Sequence, residues 1–472
     1  MQEKKVDVAI IGSGSAGLYA LGRVRSAGKS WVLINGGEAG TTCARVGCMP
    51  SKAAIQVAED IHRPQAVYKR YGIEDCKKIE LDYAELMEYI QDVRDDFVDR
   101  VLSSSTDDMS EDQFIEGYAR FIEPHCLEID NGLRIRADKF VIATGSTPVI
   151  PKAWLAFGER IMTTDQFFEQ EDLPAKMAVI GLGVIGLELG QTLARFGVDI
   201  TGIEASEFIG GIRDPEVNKS AIAALSREFP LWLGENAEIS EADNGQLKIK
   251  AGDKEVIVDK ILLSIGRRPN LDKLNLELFD FETNRQGVPL YNENTMQIAD
   301  SHLFIAGDAN GTRQLLHEAG DEGRIAGYNA ATESEIKAFK RKTPLAITFS
   351  DPNIISVGQN YADLDLTTAV IGQVNLAPVG RAHIMANNRG LMRVYADKKS
   401  GVLLGAEMFS VRGEHIAHLL NWCIMQKMTV GEVLRMPFYH PVIEEALQAA
   451  LNDLYRKVDQ KNSGVITELE EV

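Results

Sequence analysis

The sequence is poor in cysteine, in basic residues and in long apolar runs, and each shortage excludes a class of protein. Five cysteines among 472 residues are too few for a framework of structural disulfides. Lys and Arg number 50 against 69 Asp and Glu, and the net charge of -19 argues against nucleic acid or an anionic membrane as a partner. No stretch resembles a signal peptide or a membrane span, so we expect a cytoplasmic protein. At this length we expect several domains.

The beginning of the chain has the pattern of a dinucleotide-binding βαβ unit. Residues 6–11 (VDVAII) are apolar and rich in β-branched side chains, as in a buried parallel strand. Gly12, Gly14 and Gly17 follow with the G-x-G-x-x-G spacing, and a helix is predicted at 18–27 before a strand at 31–34. The first glycine makes a tight turn, the second lets the backbone approach a pyrophosphate, and the third lets helix and strand pack closely. The free N–H groups at the start of the helix then bind the pyrophosphate.

The same pattern occurs again near the middle of the chain. A predicted strand at 177–180 leads into Gly181, Gly183 and Gly186, and a helix to residue 196 precedes a strand at 199–203. A single motif of this kind also occurs in α/β units that bind no nucleotide. Here each copy follows a strand and opens a helix, which is the context that the motif requires. The chain is therefore predicted to bind two dinucleotides.

The two units differ at the residue that binds the adenosine ribose. An acidic side chain about 20 residues further on accepts the ribose hydroxyls in this kind of unit. Glu204 stands at that position in the second unit, whereas the first has Asn35. An amide can still bond to a hydroxyl, so we expect binding to survive but to be weaker, unless Glu38 nearby compensates.

Cys43 and Cys48 are close enough in sequence to act as a redox pair. On a regular helix five residues span about 7.5 Å along the axis, more than the roughly 4.4–6.8 Å between the Cα atoms of a disulfide. A bond between them therefore requires non-helical chain, and Gly47 allows the turn. Pro50 suits the first turn of a following helix, which would place Cys48 at its N-terminus, where the dipole stabilises a thiolate. Cys43 would lie on a loop, where it can meet an external disulfide.

Half of a zinc site and two unrelated thiols are the alternatives for this pair. A zinc site requires a second pair of cysteines, or histidines at suitable spacing. Cys76, Cys126 and Cys423 each stand alone in the sequence. We therefore favour a redox role and predict no metal site.

Residues 40–52 (GTTCARVGCMPSK) and the two glycine motifs resemble the dihydrolipoamide dehydrogenase and glutathione reductase family, and the resemblance covers nearly the whole chain. It implies FAD in the first unit and NAD in the second, with Cys48 facing the flavin. It further implies that Lys52 and Glu188 lie beside the reactive end of the flavin, where Lys52 favours the reduced, anionic form. The implied FAD-binding residues are Gly12, Gly14, Gly17, Asn35, Thr42, Lys52, Ala119, Thr144, Gly145, Ser146, Asp308, Leu316 and His317. The implied NAD-binding residues are Gly181, Gly183, Gly186, Glu204 and Gly266.

Residues 438–445 (FYHPVIEE) resemble the C-terminal His-Pro segment of the same family, in which a glutamate orients a histidine five residues before it. Here these residues are His440 and Glu445. A histidine titrates near physiological pH, so it can take a proton from a thiol and return it. In the family this segment comes from the partner subunit, which implies a catalytic homodimer. Val442 and Glu444 replace the usual small hydroxyl residues, which affects the fit of the substrate.

The fold implied by the resemblance is α/β, with two Rossmann-like dinucleotide-binding domains, for FAD and NAD, and a C-terminal α+β dimerisation domain. We predict the FAD-binding domain at 1–150 and 269–342, the NAD-binding domain at 151–268 and the dimerisation domain at 343–472.

Individual elements are also predicted by their patterns. A long polar helix is expected at 81–105. Antiparallel strands are expected at 348–358, 369–376 and 390–405, and helices at 415–426 and 444–457. Residues 462–472 are polar and acidic and are predicted to form a mobile tail.

The implied function is that of an NAD-linked dihydrolipoamide dehydrogenase. Reduced lipoamide, free or carried on a lipoyl domain, would pass electrons through Cys43–Cys48 and FAD to NAD. Glutathione reductase is disfavoured, because it needs arginines for the NADP 2′-phosphate where this chain has Glu204. Mercuric reductase is disfavoured because it requires a cysteine pair near the C-terminus, where this chain has only Cys423. A soluble transhydrogenase is disfavoured because it lacks the redox pair that this chain has.

Two further alternatives stay open. One is reduction of another small disulfide. The other belongs to a different class, a non-catalytic FAD-binding redox sensor, and the atypical residues Asn35, Arg45 and Val442 are compatible with it.

Overall fold

The structure, a computed structural model, describes residues 3–73, 80–333, 335–459, 461 and 469. Cys76 and nearly all of the predicted C-terminal tail lie outside the described residues. Across the described ranges, no helix is both long and apolar enough to cross a membrane.

The first segment of the chain combines a sheet with flanking helices. Its strands are β1 (Glu3–Ile11), β2 (Trp31–Asn35), β3 (Phe114–Glu116), β4 (Ala119–Glu123), β5 (Cys126–Ile129), β6 (Arg134–Ile142) and β7 (Ser146–Pro148). Its helices are α1 (Ser15–Ser26), α2 (Thr42–Arg45), α3 (Cys48–Val67) and α4 (Tyr83–Ser105). The predicted βαβ unit is confirmed, except that α1 begins directly after the second glycine of the motif rather than at Leu18.

The second segment repeats this unit and adds a small antiparallel sheet. Its strands are β8 (Ile161–Met162), β9 (Lys176–Ile180), β10 (Asp199–Glu204), β11 (Leu231–Leu233), β12 (Glu238–Glu241), β13 (Leu247–Ala251), β14 (Lys254–Val258), β15 (Lys260–Leu263) and β16 (Arg267–Pro269). Its helices are α5 (Thr164–Phe167), α6 (Val184–Phe196) and α7 (Pro215–Leu225).

The remainder of the chain returns to the first sheet and then forms the C-terminal domain. Strand β17 (Leu303–Ile305) and helix α8 (Leu316–Ala331) come first. The C-terminal strands are β18 (Leu345–Thr348), β19 (Asn353–Gly358), β20 (Ala369–Asn375), β21 (Leu391–Asp397) and β22 (Leu403–Ser410). The C-terminal helices are α9 (Gly380–Ile384), α10 (Gly413–Met425), α11 (Val430–Leu434) and α12 (Glu445–Tyr455).

The first sheet aligns the ends of three strands from distant parts of the chain. Its parallel core has the order β3-β2-β1-β6, and β17 pairs with the end of β6 while β5 pairs with its beginning. The register places Ile11, Ile142 and Ile305 side by side. The loops after β1, β6 and β17 therefore meet at one edge, where parallel α/β sheets bind ligands.

The second sheet is parallel and has the order β11-β10-β9-β15-β8. Ile180 lies beside Ile203 and Leu263, so the second glycine motif, Glu204 and the loop after β15 share an edge. Strands β7 and β16 form a two-stranded antiparallel link between the first and second segments.

The C-terminal domain is an antiparallel sheet, β18-β19-β22-β21-β20, covered by helices. Helix α12 buries one face, which consists of Ala446, Leu447, Ala450, Leu451 and Leu454 at helical spacing. The α/β fold with a C-terminal α+β domain is confirmed. The predictions of one strand at 348–358 and of one strand at 390–405 are wrong, because residues 349–352 separate β18 from β19 and a turn at residues 398–400 separates β21 from β22. Pro352, between β18 and β19, has no N–H to donate to a ladder.

Candidate active site

The three loops at the edge of the first sheet line a cavity of about 440 Å³. The cavity extends to the cysteine-bearing loop, to α3 and to the start of α6, so it joins the first and second segments. The predicted site residues that line it are Gly14, Thr42, Cys43, Cys48, Lys52, Gly145, Glu188, Asp308, Leu316 and His317. Arg267 and Phe349 are among the lining residues that the sequence did not mark as site residues.

Both glycine motifs have the close packing that a dinucleotide unit requires. A Cβ on Gly17 would lie 1.9 Å from the carbonyl oxygen of Gly12, and one on Gly186 would lie 1.9 Å from that of Gly181. The middle glycine of each motif is the N-cap of its helix, and neither N-cap makes a side-chain hydrogen bond. The first N–H groups of α1 and α6 are therefore available to phosphate.

The residues of the first unit fit the FAD that the resemblance implies. The hydroxyl of Thr144 is buried and has no hydrogen-bond partner among the described residues, which is costly unless a ligand provides one. Gly145, next to it, has open space where a Cβ would lie, and the side chain of Asp308 lines the same cavity. When bound, FAD supplies two-electron transfer between a dithiol and a nicotinamide.

At the adenosine end of the first unit, Asn35 and Glu38 both have partners within the protein. The side-chain N–H of Asn35 donates to the carbonyl oxygen of Gly37 at 2.7 Å, so its side-chain oxygen is the group left for a ribose hydroxyl. Glu38 forms an ion pair with Arg45. The carboxylate that could compensate for Asn35 is therefore paired with Arg45 of the cysteine-bearing segment. Ala119 is buried in β4 and does not line the cavity.

In the second unit, Glu204 is held at the end of β10 by two backbone hydrogen bonds. Its carboxylate accepts from the N–H of Leu182 at 2.6 Å and from that of Ser206 at 3.0 Å. The contact with Leu182 fixes the carboxylate beside the glycine motif. Gly266, which follows β15, has a φ of 114°, a conformation that favours glycine.

The two cysteines lie on different helices, separated by a break at Val46 and Gly47. The prediction that Cys43 lies on a loop is wrong, because it belongs to the one-turn helix α2, which the Thr41 hydroxyl caps by accepting from the Ala44 N–H at 3.2 Å. Helix α3 begins at Cys48, as predicted. A Cβ on Gly47 would lie 2.9 Å from the carbonyl oxygen of Thr42, so the break requires glycine.

This geometry gives the two thiols opposite acidities. A hydrogen bond from Cys43 lowers the pKa of Cys48 to about 7, and the positive charge of Lys52 acts in the same direction. The N-terminus of α3 also favours the Cys48 thiolate. The same hydrogen bond, together with burial, raises the pKa of Cys43. Both thiols line the cavity. Cys48 is the acidic one, and Cys43 keeps its proton.

Lys52 and Glu188, which the resemblance places together beside the flavin, form an ion pair with their charged atoms 2.8 Å apart. Glu188 lies on α6 and is 4% exposed, and its other carboxylate oxygen accepts from the backbone N–H of Phe349 at 2.8 Å. The Lys52 ammonium lies 4.7 Å from the centroid of the Phe349 ring. Residues from all three parts of the chain thus meet here. Phe349 was missed because nothing in its local sequence marks it, and it lies where one long strand was predicted.

His440 and Glu445 also form the predicted pair. The Nδ1 atom of His440 lies 2.8 Å from Glu445 Oε1, and Oε2 of Glu445 accepts from the Val442 N–H at 3.1 Å. The hydrogen bond to His440 lowers the pKa of Glu445. However, the His440 side chain is 80% exposed and is not among the described residues that line the cavity. One chain by itself does not bring this pair to the cysteines.

Comparison with known proteins agrees with this arrangement. The family described as Pyridine nucleotide-disulphide oxidoreductase matches residues 6–323, and its dimerisation domain matches residues 345–451. A dihydrolipoyl dehydrogenase of Thermus scotoductus is 27% identical over 473 residues, covering 96% of this chain and 98% of that protein. A mercuric reductase of Lysinibacillus sphaericus is 28% identical over 468 residues, covering 95% of this chain and 83% of that protein. The solved structure of the HOCl-induced flavoprotein disulfide reductase RclA from Escherichia coli aligns with a TM-score of 0.81 at 22% identity, covering 94% of this chain and 99% of that one.

The family matches cover both dinucleotide-binding units and the C-terminal domain. The chain therefore belongs to the pyridine nucleotide-disulphide oxidoreductase family, whose cofactors are FAD and a nicotinamide dinucleotide.

Proposed function

We propose that the protein is an NAD-linked dihydrolipoamide dehydrogenase. One observation carries the proposal: Cys43 and Cys48 line the same cavity as Asp308, from the flavin unit, and Glu188, from the nicotinamide unit. A dithiol and both dinucleotide units thus share one space, as electron transfer from a dithiol to NAD requires. The dihydrolipoyl dehydrogenase relative, which aligns over nearly its full length, supports the same substrate class.

In the proposed reaction, reduced lipoamide loses two electrons and two protons and becomes a cyclic disulfide, while NAD⁺ becomes NADH and one proton is released. A substrate thiolate attacks the sulfur of Cys43, the Cys43–Cys48 bond breaks, and Cys48 leaves as a thiolate. The second substrate thiol then displaces Cys43 from the mixed disulfide. A thiol of lower pKa leaves faster, so the pKa of about 7 at Cys48 favours attack at Cys43.

The substrate thiols need a base, and we assign this role to His440 of the partner subunit. Glu445 holds the imidazole at one nitrogen, which leaves the other nitrogen free to take a proton. The dyad is exposed on its own chain and the chain carries the dimerisation domain of the family. Both facts support a homodimer in which each dyad serves the cysteines of the other chain.

The carboxylate of Glu204 is the reason for choosing NAD over NADP. It lies beside the second glycine motif, at the position that receives the adenosine ribose. A 2′-phosphate there would meet a negative charge, whereas two ribose hydroxyls would find an acceptor.

Reduction of a mercuric ion is the second candidate. The mercuric reductase is 28% identical to this chain over 95% of its length, and the dihydrolipoyl dehydrogenase is 27% identical over 96%. Thiolates are good ligands for soft metal ions, and reduction of the Cys43–Cys48 pair would supply two of them in the cavity. NADH and Hg²⁺ would give NAD⁺, Hg⁰ and one proton. The sequence offers only Cys423 in place of a C-terminal cysteine pair, which is why this candidate ranks second.

Steady-state assays of the purified holoprotein separate these functions. NADH and NADPH are each combined with lipoamide, glutathione disulfide and Hg²⁺, with the Cys43→Ser and Cys423→Ser variants as controls. We expect NADH-linked turnover of lipoamide that is lost in Cys43→Ser and kept in Cys423→Ser. Faster turnover of glutathione disulfide or Hg²⁺ reassigns the substrate. No turnover of any acceptor, in a protein whose flavin NADH reduces, supports a redox sensor instead.

A further inference from the structure

Three side chains form a chain of hydrogen bonds whose two ends, Arg267 and Asp308, line the cavity of about 440 Å³. The Nε of Arg267 donates to the hydroxyl oxygen of Ser146 at 2.8 Å, and this hydroxyl donates to Oδ2 of Asp308 at 2.7 Å. A second N–H of Arg267 donates to the backbone oxygen of Ser146 at 2.8 Å. Ser146 is 8% exposed and the side chain of Arg267 is 12% exposed. Bulk water therefore competes little for these bonds.

The chemistry of the groups fixes the direction of the chain. A guanidinium group can only donate hydrogen bonds, and a carboxylate can only accept them. The oxygen of Ser146 accepts from Arg267, so its single hydrogen is committed to Asp308. Hydrogen bonds with a charged group at one end are the strong ones. The Ser146 hydroxyl is thus held between a cation and an anion.

Arg267 reaches this site from a different part of the chain. It is the first residue of β16, the last strand of the second segment. Strand β16 pairs with β7, which belongs to the first segment and begins at Ser146. Its neighbour Arg268 instead points to Asp272 at the surface, with a side chain 58% exposed. Two successive arginines therefore have different environments, and only the first lines the cavity.

We propose that Arg267 is a positioning residue for FAD. Through the hydroxyl of Ser146 it holds the carboxylate of Asp308 in one rotamer, with Oδ2 engaged and Oδ1 left to bind the cofactor. This inference rests on FAD binding and not on the identity of the substrate. It can therefore fail while the proposed function stands, and the reverse also holds.

The test is the affinity of the apoprotein for FAD, measured by quenching of flavin fluorescence. Arg267→Met removes the donors, and Ser146→Ala removes the middle of the chain. Each is expected to weaken FAD binding on the order of tenfold, as the loss of one hydrogen bond to a charged group predicts. Ser146→Thr keeps a hydroxyl and is expected to restore the affinity. Arg268→Met and Thr147→Ala are the matched controls, and they are expected to stay within about twofold of the parent protein.

The double variant decides between positioning and general support of the fold. If Arg267 acts through Ser146, adding Arg267→Met to Ser146→Ala should weaken binding by less than about threefold, because the path is already broken. An equal loss in both backgrounds overturns the proposal, since Arg267 then acts independently of the hydroxyl. The proposal is also overturned if Arg268→Met weakens FAD binding as much as Arg267→Met does.

Arg267→Lys covers the case in which Arg267→Met does not fold. Lysine keeps the positive charge but lacks the fork that donates to the hydroxyl and the backbone oxygen of Ser146 together. The expected result is several-fold weaker FAD binding, with an apoprotein unfolding midpoint close to that of Arg268→Lys. Unchanged affinity overturns the proposal.

Discussion

The pKa of Cys48 provides a quantitative test of the redox pair. The hydrogen bond from Cys43 is the largest cause of the lowered pKa of Cys48. Because this bond stabilises the thiolate, removing the donor must raise the pKa. A hydrogen bond to a charged group contributes about 1.5–3 kcal/mol, which is about one to two pKa units. Cys43→Ala should therefore move the titration of Cys48 from about 7 to about 8–9. Cys43→Ser keeps a hydroxyl donor, so the pKa of Cys48 in that variant should stay at about 7.

The assay is a pH titration of the long-wavelength absorbance that a thiolate gives when it faces the oxidised flavin. It is measured on the holoprotein of each variant. Cys48→Ser, which removes the thiolate, should lack the absorbance at every pH. Lys52→Met provides an independent check, because loss of its charge should also raise the midpoint. The reasoning is refuted if Cys43→Ala and Cys43→Ser titrate together, or if the absorbance survives in Cys48→Ser.

Three further predictions concern the other parts of the site. NAD should be preferred to NADP by up to about two orders of magnitude in kcat/KM, because a 2′-phosphate about 5 Å from Glu204 is repelled by about 3 kcal/mol per unit charge at an effective dielectric constant near 20. Glu204→Ala should reduce this preference for NAD. Equal kcat/KM for the two coenzymes in the parent protein would contradict the assignment. His440→Gln should lower lipoamide turnover by about 10²–10⁴-fold while reduction of the flavin by NADH, which needs no thiol deprotonation, stays unchanged in stopped-flow measurements. Glu445→Gln should lose less, and equal slowing of both half-reactions would place the base elsewhere. Asn35→Glu should bind FAD more tightly in apoprotein titrations, because a carboxylate accepts from both ribose hydroxyls. An unchanged or weaker affinity would contradict this prediction and would show that loss of the hydrogen bond from Asn35 to Gly37 offsets the gain.

The sequence predicts best the features that depend on short-range patterns. The two βαβ units follow from glycine spacing and apolar strands, and their predicted bounds agree with β1, α1 and β2 to within a few residues. The start of α3 at Cys48 follows from Pro50 and from the limit on disulfide length. These predictions succeed because the required geometry is local, so a few residues determine it.

Contacts between distant segments could not be predicted in the same way. The ion pair of Glu38 and Arg45 competes with the compensating role that the sequence left open for Glu38, and it depends on how the cysteine-bearing segment folds back toward β2. The hydrogen bond from Phe349 to Glu188 joins residues 161 positions apart. Only the family resemblance pointed to Lys52 and Glu188, because each residue alone resembles an ordinary surface charge. Glu188 differs from an ordinary surface charge because it is only 4% exposed in the structure.

The break at Gly47 explains why two cysteines so close in sequence differ in acidity. Cys48 begins a helix of 20 residues and has Lys52 one turn further along, so dipole and charge both stabilise its thiolate. Cys43 sits in a helix of only four residues and donates its hydrogen bond to that thiolate, which holds its own proton in place. A continuous helix would hold the two sulfurs too far apart to bond. The break therefore does two things at once: it brings the sulfurs within reach of a disulfide, and it makes Cys48 the better leaving group, so that exchange is directed to Cys43.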